Sequence, residues 1–105
     1  MMRSQPNLLF LLSDEHRRDC MGFVENGDAV HTPHFDAFAK QSAVFNNAIV
    51  EIPVCSPSRA TLITGKYGMN HGQHRLGQPM LKGADKHTMF TALRDAGYHI
   101  GYVGK

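Results

Sequence analysis

The chain has 105 residues, of which 42% are hydrophobic and 19% charged, the balance of a globular domain rather than of a disordered or collagen-like chain. A formal charge of only +2 with no Lys/Arg cluster gives no footing for nucleic-acid binding, and no apolar run is long enough to span a membrane. Two cysteines far apart in the chain do not imply a disulfide framework.

The first element is Asn7-Leu8-Leu9-Phe10-Leu11-Leu12, a continuous apolar run of the kind expected for a parallel strand buried on both faces. It is too short for the core of a signal peptide, has only Arg3 before it, and lacks a small-residue cleavage site after it. It is therefore read as a strand, and the protein as cytoplasmic. The run ends abruptly in Ser13-Asp14-Glu15-His16. In open α/β sheets, ligands bind outside the carboxyl ends of the strands, which makes Asp14 a candidate metal ligand. Asp19 reads as a solvated or capping residue.

Thr32 as cap, Pro33 at the first helical position, and Phe35, Phe38 and Ala39 at i, i+3, i+4 predict an amphipathic helix to about Gln41, with both phenylalanines in the core. Residues 43–45 and 48–50 then read as extended, interrupted by Asn46-Asn47.

Next comes Cys55-Ser56-Pro57-Ser58-Arg59, followed by Ala60-Thr61-Leu62-Ile63-Thr64-Gly65. Pro57 suits a first helical turn, Ser56 or Ser58 can cap its orphan donors, Leu62 and Ile63 supply an inward face, and Gly65 supplies the stop. A nucleophilic side chain at Cys55 thus sits beside a positive dipole end, with the Arg59 guanidinium one turn along. Both favour a tetrahedral oxyanion such as sulfate or phosphate.

Residues 67–83 are rich in glycine and histidine and have weak periodicity, so they read as a surface loop near the site, with His71 and His74 able to reach a substrate. The seven histidines are scattered, and His31-Thr32-Pro33-His34 is broken by a proline, so no zinc spacing emerges. Asp85 or Thr88 can open a last helix carrying Met89, Leu93 and Ala96, closed by Gly97, and residues 98–103 read as a strand with Lys105 at its carboxyl end. If that strand lies parallel to the first, Lys105 and Asp14 emerge on the same sheet edge.

Around Cys55 the chain resembles the formylglycine-dependent sulfatases, whose hallmark is C-x-P-S-R followed by a short helix ending in T-G. The match runs through Thr64-Gly65-Lys66-Tyr67 and extends to the opening P-N, apolar strand and aspartate, and to the closing G-Y and G-K of Gly97-Tyr98 and Gly104-Lys105. The resemblance implies an α/β fold, a mostly parallel sheet flanked by helices as in the alkaline-phosphatase superfamily. It implies that Cys55 is converted by a formylglycine-generating maturation enzyme to an aldehyde, whose hydrate attacks the sulfur of a small-molecule sulfate ester.

Asp14 and the modified Cys55 would ligate a divalent metal, calcium or magnesium, with manganese also admissible. Arg59 and Lys105 would hold charge on the sulfate. Many members carry a second aspartate where this chain has Glu15, which weakens Glu15 as a ligand. The remaining metal ligands of the family lie in later parts of its chains, so residues 1–105 are expected to be the N-terminal part of a sulfatase catalytic domain, truncated after Lys105. No nucleic-acid or membrane partner is expected. The same charges suit a phosphonate monoester or phosphodiester hydrolase of that superfamily, and a silent fragment is the non-enzymatic alternative. A hydrolase using the unmodified thiolate has no His–Asn or His–Asp pattern to support it.

Overall fold

A computed structural model describes residues 5–24 and 30–105, which fall into two compact units, Met1–Asn46 and Asn47–Lys105. Among the described residues the regular elements are helices: α1 (Pro33–Ala39), α2 (Cys55–Thr64), α3 (Gly68–His71) and α4 (Met89–Asp95), with single 3-10 turns at Arg18–Cys20 and Ala84–Lys86. Among the described residues, no helix is long and apolar enough to cross a membrane.

In the first unit, residues 8–12 have no regular secondary structure and are 51% to 84% exposed. This corrects the expectation of a buried parallel strand. An extended segment becomes a strand only when a neighbour supplies its hydrogen bonds, and a parallel neighbour arrives through a crossover that also covers the faces. The same reason applies to residues 43–45, 48–50 and 98–103, none of which is a strand. The expected sheet is therefore absent from the described residues, although the apolar segments that would build it are present.

α1 starts where the sequence places it, with Pro33 at the first helical position, and it ends at Ala39 rather than Gln41. The Thr32 hydroxyl does not cap it; it donates to Asp36 Oδ1 at 2.8 Å and accepts the Gly22 N–H at 2.8 Å, tying the preceding loop to the helix. Phe35 and Phe38 are 47% and 71% exposed, so the stripe read as core is a surface stripe here. Asp19 pairs with the Arg17 guanidinium.

The second unit is organised by α2, which packs against α3 and α4, while α3 packs against the turn at Ala84–Lys86. Its inward stripe is Pro57 and Ala60, both buried at i, i+3; Leu62, expected inside, is exposed. Small side chains on that stripe let the neighbouring helices approach closely. Gly65 terminates α2 as expected, in the left-handed region (φ 64°), with its N–H bonded to the Thr61 carbonyl at 2.8 Å.

Between α2 and α4 the sequence reading missed α3, a single helical turn too short to show periodicity. The loop after it is closed at its base by the Leu81 N–H, which donates to the His71 carbonyl at 2.8 Å. α4 has a capping box between Thr88 and Thr91. It ends in a Schellman motif, with Gly97 N–H bonded to the Arg94 carbonyl (2.9 Å) and Tyr98 N–H to the Leu93 carbonyl (3.0 Å). Beyond it, Tyr102 packs edge-on against Phe90 with centroids 5.9 Å apart.

Candidate active site

The chain enters α2 from an extended residue, Val54 (φ −131°, ψ 137°), whose carbonyl accepts the Ser58 N–H at 2.9 Å. That bond makes Cys55 the first residue of the helix, one position deeper than a cysteine lying ahead of it. Pro57, in third place, still falls among the orphan donors of the first turn, where its missing N–H removes nothing the helix needs.

No side chain caps this end. The expected cap from Ser56 or Ser58 does not form, and the Ser56 hydroxyl is buried without a partner among the described residues. An uncapped first turn leaves backbone N–H groups and the positive end of the helix dipole available to an anion. Cys55 and Arg59, both half-buried, stand at i, i+4 and so share one helix face at that end. Neither Cys55 nor Cys20 is in a disulfide. A nucleophile, an uncapped helix terminus and a guanidinium therefore converge on a small volume suited to a tetrahedral oxyanion.

Lys105 lies in the same unit, exposed at the end of the extended segment after α4, where its carbonyl accepts the Tyr102 hydroxyl. Asp14 and Glu15 lie in the first unit, exposed, in a tight turn that ends the apolar segment. Glu15 is the one non-glycine residue with positive φ among those described (53°), a strained conformation for a glutamate and of the kind that gathers at functional turns. These carboxylates are hard oxygen donors of the type that calcium and magnesium prefer. No group of three or more His, Cys, Asp or Glu side chains is assembled for a metal among the described residues.

His71 is placed differently from the loop histidine the sequence suggested. It is the last residue of α3 and has no exposed surface, so it presents nothing to a substrate. Its Nδ1 accepts the Gln73 N–H at 3.1 Å, which leaves Nε2 to donate to Thr61 Oγ1 on α2 at 3.0 Å. The Thr61 hydroxyl in turn donates to Glu51 Oε2 at 3.3 Å, and the Glu51 carboxylate accepts the Gly68 N–H at 2.9 and 3.1 Å. Sequence reasoning passed over Glu51 and Thr61. The single available signal was a carboxylate four residues ahead of the motif, which spacing alone cannot connect to a threonine ten positions on.

Cys55 at a helix N-terminus, with an arginine one turn along, is an arrangement suited to binding a tetrahedral oxyanion. The family model described as Sulfatase matches residues 6–105, and the chain belongs to the sulfatase family. It is 34% identical over 102 residues to an ulvan-active sulfatase of Formosa agariphila, an alignment covering 97% of this chain and 19% of that protein. It is 36% identical to mouse arylsulfatase J over 106 residues (97% of this chain, 17% of the relative) and 36% identical to human N-sulphoglucosamine sulphohydrolase over 107 residues (98% and 21%). The chain spans about a fifth of the length of these curated relatives. No solved structure was found to match it. Sulfatases as a family use a formylglycine and a divalent metal within an alkaline-phosphatase-like α/β fold. The present helices and unpaired extended segments are consistent with a portion of that fold.

Proposed function

We propose that this chain is the N-terminal part of a sulfatase catalytic domain and carries the nucleophile of a sulfuric ester hydrolase acting on a small-molecule sulfate ester. The observation that carries the reading is Cys55 on the uncapped first turn of α2 with Arg59 one turn along on the same face. In this reading Cys55 is converted to formylglycine by a maturation enzyme, and its hydrate supplies the attacking oxygen. The first-turn N–H groups and the Arg59 guanidinium hold the sulfate oxygens in place and stabilise the charge that develops as the alcohol leaves. Asp14, with Glu15 as a weaker second donor, would hold a divalent cation, calcium, magnesium or manganese, that neutralises charge on the sulfate. Lys105 would add an ammonium on the same anion.

The test compares an aryl sulfate, a phosphonate monoester and a phosphodiester as substrates of the full-length protein with metal present, alongside a Cys55→Ala variant. Sulfate release that disappears in the variant supports the reading. Preference for either phosphorus ester would move the protein to the phosphonate or phosphodiester branch of the superfamily. No hydrolysis of any substrate, with position 55 already an aldehyde, would reduce the motif to an inherited and idle one.

A further inference from the structure

The Glu51 carboxylate ties the segment ahead of Cys55 to both α2 and α3, which are themselves joined by the His71–Thr61 hydrogen bond. It sits on the short segment that delivers Cys55, four residues ahead of it. It accepts the Gly68 N–H through both oxygens, at the start of α3, and the Thr61 hydroxyl at the middle of α2. Thr61 is held from its other side by Nε2 of the fully buried His71, whose own Nδ1 is taken by the Gln73 N–H. The hydrogen bonds thus run in one consistent sense from Nε2 of His71 through Thr61 to Glu51, which also accepts the Gly68 N–H.

The delivering segment is also held by Ile52, whose side chain lies against Gly68, and by the Val54 carbonyl, which accepts the Ser58 N–H at 2.9 Å. Val54 N–H bonds locally to the Ile52 carbonyl at 2.8 Å, and no side chain caps the helix that follows. A first turn without a cap frays readily, yet this turn carries the reacting position and its arginine. Glu51 supplies from upstream the restraint that a capping side chain would supply from within.

We propose that Glu51 is a positioning residue for the chemistry at Cys55, bracing the segment 51–55 against α2 and α3; this rests on the sulfatase reading. It touches neither substrate nor nucleophile. Its effect falls on the orientation of the reacting position and not on substrate affinity.

The experiment uses the full-length protein with Glu51→Ala and Glu51→Gln. Glutamine is informative because its one amide oxygen, set in place of Oε2, still accepts from the Gly68 N–H and the Thr61 hydroxyl, while the amide nitrogen gives up the second Gly68 contact made by Oε1. In matured enzyme, Glu51→Ala should lower kcat on the order of 10-fold to 100-fold while KM moves little, as expected when a reacting group is misplaced. Glu51→Gln should restore kcat. In protein produced without maturation, where position 55 remains a thiol, Glu51→Ala should raise the alkylation rate of Cys55 severalfold, leave Cys20 unchanged, and be reversed by Glu51→Gln.

Wild-type kcat and alkylation in Glu51→Ala would overturn the proposal. So would equal damage by alanine and glutamine, which would make the charge and not the brace the active feature. Equal acceleration at Cys20 would also overturn it, by making Glu51 a general stabilising residue. The alkylation arm needs no sulfatase activity, so if the matured wild type released no sulfate, that reading would fail while the brace would still be decided.

Discussion

His71 Nε2 lies 3.0 Å from Thr61 Oγ1, and because the Gln73 N–H occupies Nδ1, the imidazole donates and the threonine accepts. A wholly buried histidine thereby fastens α3 to the helix that carries the reacting position.

Replacing Thr61 by valine keeps the shape and removes the acceptor, stranding a buried N–H. Leaving one buried polar group unpaired costs about 1–3 kcal/mol, so Thr61→Val should lower the unfolding free energy by that amount, read as a lower denaturant midpoint at unchanged m-value. Thr61→Ser, which keeps the hydroxyl, should stay close to wild type.

Gly65 and Gly72 both lie in the left-handed region, at φ 64° and 82°. A Cβ on Gly65 would meet nothing within 4 Å, so Gly65→Ala should cost only the backbone penalty of about 1–2 kcal/mol. A Cβ on Gly72 would run into the Leu81 side chain at the base of the closed loop. Gly72→Ala should therefore cost about 1–3 kcal/mol more than Gly65→Ala, read by urea denaturation of the two variants side by side.

In the proposed reaction, Arg59 acts on charge that develops as the alcohol leaves. Arg59→Ala in the matured full-length enzyme should lower kcat by about 10²-fold or more. Arg59→Lys should recover little of it, since an ammonium lacks the planar fork that holds two sulfate oxygens at once. Steady-state kinetics on an aryl sulfate decide it, and near-normal turnover in Arg59→Ala would remove the arginine from the site.

Asp14 is the strongest candidate donor for a divalent cation. Asp14→Asn should weaken calcium or magnesium binding in calorimetry and lower sulfate release, with partial recovery at raised metal concentration. Unchanged cation affinity in the variant would place the metal elsewhere.

Features set by a few neighbouring residues were legible in the sequence. Pro33 opening α1, Gly65 closing α2 and Thr88 opening α4 follow from local backbone chemistry, and each appears where expected. Features that need a distant partner were not. The apolar run at residues 8–12 has the composition of a strand, but a strand exists only as a pair, and none of the described residues supplies the other half. Phe35 and Phe38 have the spacing of a core face, yet a face is buried only when something covers it.

The site divides along the same line. Cys55 and Arg59 were readable because one helical turn joins them, and the sequence names both. The burial of His71 was not, because it depends on Thr61 and Glu51, ten and twenty positions away, coming together around it. Ser56 shows the converse: its residue type suggested a cap, but the helix begins two residues earlier than a Ser56 cap requires, and its hydroxyl is turned inside without a partner among the described residues.

The central claim is that position 55 is the nucleophile of a sulfatase. Its most direct test is sulfate release from an aryl sulfate by the full-length protein purified from its own host, with the state of residue 55 read on the same sample by peptide mass. The account predicts an aldehyde in place of the thiol and metal-dependent turnover that scales with the aldehyde fraction. Fully converted protein that releases no sulfate with divalent metal present, or turnover undiminished in protein whose Cys55 remains a thiol, would contradict it.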